Sequence, residues 1–163
     1  MKSTRIISAA TAILLLAASL SPAFAENGQL KLTSRSEKEV VVVKEGNKTV
    51  TLVPAEKVVP GDVVLFTNHY KNAGNAPAEA VVISNPVPNH MTYLDGSAFG
   101  EGAEITFSFD KGKSFATPGK LIKTEKGKKR TARAEEYTHI RWTFKNPIAP
   151  GKEGDLGFRA RLK

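Results

Sequence analysis

Three side-chain types in this sequence could carry out catalytic or metal chemistry: histidine, serine and aspartate. The histidines are His69, His90 and His139, and none has a second metal ligand two residues away on the same strand. Isolated histidines of this kind are typical of partly exposed strand positions. We therefore predict no metal ligand among them.

The serines near predicted strands or turns are Ser84, Ser97, Ser108 and Ser114. None lies in a G-x-S-x-G elbow, and spacing assigns no acid–histidine pair to any of them. We predict that the protein is not an enzyme and has no catalytic residues.

The aspartates Asp62, Asp95, Asp110 and Asp155 are scattered singly, each within two residues of a glycine. Calcium sites gather several oxygen ligands, whereas single aspartates near glycine are typical of turns. The sequence also has no cysteine, which excludes thiolate metal sites and disulfides. We predict no bound metal and no cofactor.

The most unusual charge pattern is segment 111–133, where nine lysines and arginines accompany a single acid, Glu125. We interpret it as a long basic loop, and the reading that we favour is a solvated loop whose charge keeps the protein soluble. The alternative is a loop that docks an anionic envelope polymer such as lipopolysaccharide or teichoic acid. Nucleic acid is not expected, because Phe115 is the single aromatic residue there that could stack on bases. The candidate contacts are Lys120, Lys123, Lys126, Lys128, Lys129, Arg130 and Arg133.

A second candidate interaction feature is the run of four valines at residues 40–43. A β-branched run at a sheet edge could accept a strand from a partner protein. The alternative is a strand that is paired and buried within the fold.

The N-terminus has the pattern of a secretory signal. Lys2 and Arg5 precede an apolar run over residues 6–20, and residues 23–25 read Ala-Phe-Ala, the small-x-small pattern of a cleavage site. We predict that residues 1–25 are a cleaved signal peptide, with a retained membrane anchor as the alternative. Cleavage lowers the formal charge from +8 to +6, and no apolar run long enough to span a membrane follows. The protein is thus expected to be exported, either periplasmic or secreted.

The elements that must position these residues are strands. Residues 63–71 carry apolar side chains on both faces, which predicts a central strand, and apolar residues alternate with polar ones over residues 105–109, 138–144 and 156–162. Nine prolines and thirteen glycines interrupt the chain. We predict an all-β fold, an immunoglobulin-like antiparallel β-sandwich of about seven to nine strands. Residues 26–37 are predicted to be an N-terminal arm, in which Leu30 and Leu32 could form a short first strand. Residues 38–163 are predicted to be a single domain.

Three motifs resemble a known family when they are taken in order: VPGDVVLFT at 59–67, NAGNAPA at 72–78, and VISNPVP at 82–88 followed by YLDGS at 93–97. Together they resemble the DUF11 family, the conserved repeat domain of bacterial and archaeal envelope proteins, over residues 58–162. The resemblance implies an immunoglobulin-like sandwich in an exported protein, with no catalytic activity attached to the fold. The family usually occurs as tandem copies, whereas this sequence has one.

The function expected from these observations is that of an exported, non-catalytic structural or protein-interaction module of the bacterial cell envelope. Its partner would be another envelope or surface protein. Two alternatives remain open at this point. The first is a periplasmic binding protein that holds an anionic polymer through the 111–133 loop, and the second is an assembly factor that adds a strand to a surface structure.

Overall fold

A computed structural model describes residues 29–44 and 46–163. The predicted signal peptide lies outside the described residues, as do residues 26–28. Eleven strands and two short 3₁₀ turns, Pro118–Lys120 and Ala134–Glu136, make up the regular structure of these described residues. The strands are β1 (Leu30–Lys44), β2 (Asn47–Pro54), β3 (Val63–Asn72), β4 (Val82–Pro86), β5 (Met91–Tyr93), β6 (Phe99–Gly100), β7 (Ala103–Ser108), β8 (Ile122–Glu125), β9 (Lys128–Thr131), β10 (His139–Phe144) and β11 (Glu153–Leu162).

The strands form three antiparallel sheets. The largest has the order β2-β1-β3-β11-β5, with β6 also paired to β11. A second sheet has the order β4-β10-β7, and β8 and β9 pair only with each other. The prediction of an all-β antiparallel fold is therefore confirmed. In the part of the chain that is described, no helix has the length and apolar character needed to cross a membrane.

The core lies between the two larger sheets. Trp142 and Ile140 of β10 and Phe158 and Leu156 of β11 are its most deeply buried large side chains. The Trp142 and Phe158 rings are 6.5 Å apart, centroid to centroid, across the layer. The Nε1 of Trp142 donates a hydrogen bond to the carbonyl of Phe99 at 2.9 Å, which satisfies the polar atom of this buried ring.

Strand β3 is central because it is paired on both sides, with β1 and with β11. Its even-numbered residues point into the core, where Phe66 stacks on Phe158 with ring centroids 5.3 Å apart. Tyr70 contacts Phe144 of the other sheet edge-on, with centroids 5.0 Å apart. This two-sided pairing confirms the prediction of a central strand over residues 63–71.

Two features differ from the sequence-based expectation. The strands number eleven rather than seven to nine, in part because the expected 111–133 loop contains the β8–β9 hairpin. Residues 30–37, assigned to the arm, are the first half of β1 and pair with β3, since Leu30 and Leu32 pack against the core. Strand β4 ends at Pro86, and β10 and β11 lie in different sheets.

Candidate functional site

The β1–β2 hairpin extends past the rest of its sheet. Residues 30–38 of β1 pair with β3, whereas the pairing with β2 continues to Lys44 and Asn47. Between the two strands, Gly46 adopts a φ of 81°, a conformation that glycine tolerates without strain. We call residues 39–44 and 47–52 the hairpin tip.

The hairpin tip carries four large apolar side chains on one face. Val41 is directly opposite Val50, and Val43 and Leu52 occupy the alternate positions on the same face. Their exposed fractions are 59% for Val41, 59% for Val43, 57% for Val50 and 40% for Leu52. We call these four residues the apolar tip face. Neighbouring apolar side chains at this level of exposure mark interaction surfaces in soluble proteins.

The same face of the sheet is covered with ion pairs below the tip. Arg35 bridges Glu37 and Asp155 at 3.2 and 3.1 Å, and the Arg159 Nε lies 2.6 Å from Glu39 Oε1. The pKa of Asp155 is lowered, chiefly by the hydrogen bond from His69 and also by Arg35. Beyond Glu39, where the pairing with β3 has ended, the outer sheet face is mostly apolar, and Lys48 opposite Val43 is the charged residue beside the apolar tip face.

Strand β2 is also the longest outer edge among the described sheets. The other outer strands have features that discourage pairing with another chain. Strands β5 and β6 are only three and two residues long, and β4 contains Pro86. The outer edge of β7 is covered at Phe107, which exchanges backbone hydrogen bonds of 2.9 and 3.1 Å with Ala116. In β2, Lys48 and Pro54 lie near the ends, and the stretch 49–53, Thr-Val-Thr-Leu-Val, has neither charge nor proline.

The basic segment folds as the β8–β9 hairpin. Its two-residue turn is Lys126–Gly127, with φ values of 49° and 76°. Positive φ at both turn residues is typical of a type I′ hairpin. The segment is thus an ordered element rather than a loop, and its tip presents Lys126, Lys128 and Lys129 to solvent.

Glu136 neutralises part of that segment. The Arg130 guanidinium donates to both Glu136 carboxylate oxygens at 2.6 and 2.8 Å, and the Lys123 Nζ donates to Oε1 at 2.8 Å. Arg130 also pairs with Glu125 at 2.8 Å. These cations hold the pKa of Glu136 far below its usual range, with the Arg130 hydrogen bond as the largest cause. Lys123 and Arg130 are therefore structural residues, and they are poor candidates for ligand contact.

The other predicted contacts have different positions. Lys120 is exposed at the end of a 3₁₀ turn, and Arg133 lies 3.8 Å from Glu136 with most of its side chain in solvent. The Arg141 guanidinium lies 3.5 Å above the Phe115 ring centroid and covers one face of the ring. Of the seven predicted contacts, the structure places Lys126, Lys128 and Lys129 together on one exposed tip.

The serines have structural partners. Ser108 and Ser114 donate to the Asp110 carboxylate at 2.7 and 2.6 Å, and Ser97 donates to the carbonyl of Leu94 at 2.6 Å. Asp110 also accepts from the backbone amides of Lys113 and Ser114, which is turn chemistry. These hydrogen bonds lower the pKa of Asp110, with Ser108 as the largest contributor.

The histidines lie at separate places. His69 Nδ1 is 2.8 Å from Asp155 Oδ1, and its Nε2 is 4.0 Å from Glu153. His139 is partly buried beside Gly112, and burial lowers its pKa. Over residues 29–44 and 46–163, no group of three or more histidine, aspartate or glutamate side chains is arranged to hold a metal ion.

Two features of the site were not predicted from the sequence: the ion pairs of Glu136 and the apolar tip face. Glu136 lies just outside the basic segment, so the charge count missed its role; its position six residues after Arg130 was the available signal. The signal for the apolar tip face was the presence of β-branched residues at both odd and even positions of 40–43. A two-stranded hairpin with one free face must expose one of those two sets.

The comparisons with known proteins add no relative. No family model, no curated protein and no solved structure matches this chain.

Proposed function

We propose that this chain is an exported, non-catalytic interaction module of the bacterial cell envelope, which contacts other envelope proteins through the hairpin tip. The observation that carries the proposal is the apolar tip face, four exposed valine and leucine side chains on β1 and on the edge strand β2, whose central stretch 49–53 is uncharged. Burying such side chains against a partner stabilises the complex by about 25 cal/mol for each Å² of apolar surface that is removed from water.

The export pattern and the family resemblance support the envelope role from the sequence. The secretory pattern in residues 1–25 favours a periplasmic or secreted protein, and the resemblance to DUF11 favours an immunoglobulin-like module with no attached chemistry. The connections from β3 to β4 and from β10 to β11 each cross between the two larger sheets, which supports a sandwich of that general kind.

The test is co-sedimentation of the purified protein with cell envelopes from the organism that makes it, at low and at high salt. An apolar interface keeps its partner when salt is raised, so we expect the wild-type protein to sediment under both conditions. The V50K/L52K variant should lose this binding. The V82K variant is the matched control, because Val82 is an exposed valine on an edge strand of the other sheet. Equal binding by V50K/L52K and the wild type would reject the hairpin tip as the contact surface.

A second candidate function is favoured by the three exposed lysines of the β8–β9 tip. They could hold an anionic envelope polymer by electrostatic attraction, which raised salt weakens. The variant K126Q/K128Q/K129Q tests this without disturbing the Arg130–Glu136 pair that orders the hairpin. Loss of envelope binding in this variant, together with release by salt, would favour the polymer over the protein partner.

A further inference from the structure

We propose that one partner of the hairpin tip is a second copy of this chain, whose β2 pairs with β2 across a two-fold axis. The inference rests on the proposed interaction role of the tip and adds the identity of a partner. The pairing would join two six-stranded sheets into one continuous sheet through the outer edge of β2, which pairs only with β1.

The inference begins with how the other edges are protected. An edge strand is a template for another strand unless it is short, charged, interrupted by proline or covered. Within residues 29–44 and 46–163, the edges at β4 to β7 each have one of these protections, and β8 and β9 are short and rich in charge. Residues 39–44 of β1 also have an unpaired side beyond the end of β3, but this stretch is shorter than β2 and has a charged residue at each end, Glu39 and Lys44. Strand β2 is eight residues long, and its centre has none of them. A stretch of five uncharged residues with high β-propensity is suited to strand pairing.

The residue pattern of β2 is self-complementary. If Thr51 lies on the two-fold axis, antiparallel pairing places Val50 opposite Leu52 of the second copy, and Leu52 opposite its Val50. The apolar tip faces of both copies then meet on one side of the joined sheet. Cross-strand pairs of such side chains stabilise antiparallel sheets by roughly 0.2–1 kcal/mol each.

The charges of β2 permit this register. Lys48 is the only charged residue of the strand, and it lies opposite Pro54 of the second copy, so no two like charges oppose each other directly. Each copy nevertheless carries a net positive charge, which repels the other at a distance. Salt screens that repulsion, so the dimer should become stronger as salt is raised. This is the opposite of the salt dependence expected for an anionic polymer.

The contact is small. One strand pair with its flanking side chains is less than the roughly 1,600 Å² of a standard interface. We therefore expect a reversible dimer that forms as the protein concentration is raised through the micromolar range, rather than an obligate one.

The first experiment is analytical ultracentrifugation of the wild type, V50K/L52K and V82K over micromolar to millimolar concentrations. In the proposed register, V50K/L52K creates two lysine–lysine pairs across the axis, so its dissociation constant should rise by about tenfold or more. V82K should dimerise like the wild type. Far-ultraviolet circular dichroism and the fluorescence of Trp142, the only tryptophan, confirm that each variant is folded.

The second experiment tests the register by crosslinking. Because the chain has no cysteine, the variant T51C carries a single thiol. Directly opposite residues of antiparallel strands have Cα atoms about 4.5–5.5 Å apart, within reach of a disulfide. T51C should therefore form a disulfide-linked dimer on mild oxidation much faster than T124C, whose thiol lies on the exposed strand β8.

The outcomes distinguish the second copy from the envelope partner. A wild-type protein that stays monomeric at every concentration and salt, or a V50K/L52K variant that dimerises equally well, overturns the second copy as partner. If the wild-type protein stays monomeric but still binds envelopes through the hairpin tip, the proposed function stands. Dimerisation without any envelope binding would support the second copy and overturn the contact with envelope proteins. Crosslinking of T51C no faster than T124C overturns the register with Thr51 on the axis.

Discussion

Thr67 is a buried residue at which a hydrogen bond is missing. It is 2% exposed on β3, and its Oγ1 is the one buried side-chain polar atom in the described part of the chain without a partner. Burying an unpaired hydroxyl costs about 1–3 kcal/mol. We expect T67V, which keeps the shape of the side chain, to raise the free energy of unfolding by roughly 1 kcal/mol in urea denaturation. S108A is the contrasting variant and should lower it, because the buried Ser108 hydroxyl bonds to Asp110. A destabilised T67V would show that the hydroxyl has a partner after all.

Asn72, in contrast to Thr67, is a buried polar residue whose side chain is hydrogen-bonded. Its side chain is fully buried and donates to the carbonyls of Ala76 and Ile148 at 2.8 and 2.7 Å, while its Oδ1 accepts from the Gly74 amide at 3.0 Å. An aspartate has no amide to donate, so its oxygens would face two carbonyl oxygens. We expect N72D to destabilise the protein by about 2–4 kcal/mol in urea unfolding at neutral pH, and to recover partly in acid as the carboxylate is protonated. Stability unchanged from the wild type at neutral pH would contradict this role.

At the scale of elements, the two hairpins are ordered by different means. The β1–β2 hairpin is held by a long ladder with β3 at its base, whereas the β8–β9 hairpin depends on Glu136, which lies between Lys123 and Arg130. Removing the Glu136 charge should allow the β8–β9 hairpin to open locally while the two larger sheets stay folded.

The measurement is limited trypsin digestion, because Lys128 and Lys129 are cleavable only when the hairpin opens. We expect E136Q to be cut in the 123–130 segment several-fold faster than the wild type, with an unchanged circular dichroism spectrum. E135Q is the matched control, since Glu135 is exposed and forms no ion pair among the described residues. Equal cleavage of E136Q and E135Q would mean that the ion pairs do not order the hairpin.

At the scale of the whole molecule, the carboxylates predict how stability depends on pH. Hydrogen bonds or cations lower the pKa of six of them, so the unfolded state binds more protons than the folded state in acid. Their contribution is complete above the unfolded pKa values and is lost as pH falls below them. We expect the free energy of unfolding to fall steadily from about pH 5 to about pH 2, and to fall less steeply in E136Q. A stability that rises over this range would contradict the assignment. The six groups are Asp62, Asp110, Glu125, Glu136, Glu153 and Asp155.

The sequence by itself determined the fold class and the main strands. The apolar residues on both faces over 63–71, and at alternate positions over 156–162, form local patterns, so they mark strands without knowledge of their partners. The spacing of the histidines and serines likewise assigned none of them to a predicted site.

Only the tertiary structure decided which surfaces are open and which charges remain. Pairing between residues distant in the chain placed β10 and β11 in different sheets and left residues 39–44 beyond the end of β3. It also brought Glu136 onto Arg130 and Lys123, so two cations of the predicted contact set are paired within the fold. Sheet order and ion pairing are long-range properties, because they depend on the closure of loops between distant segments. The sequence pattern predicts strands well, but it does not reveal which of their edges and faces meet solvent.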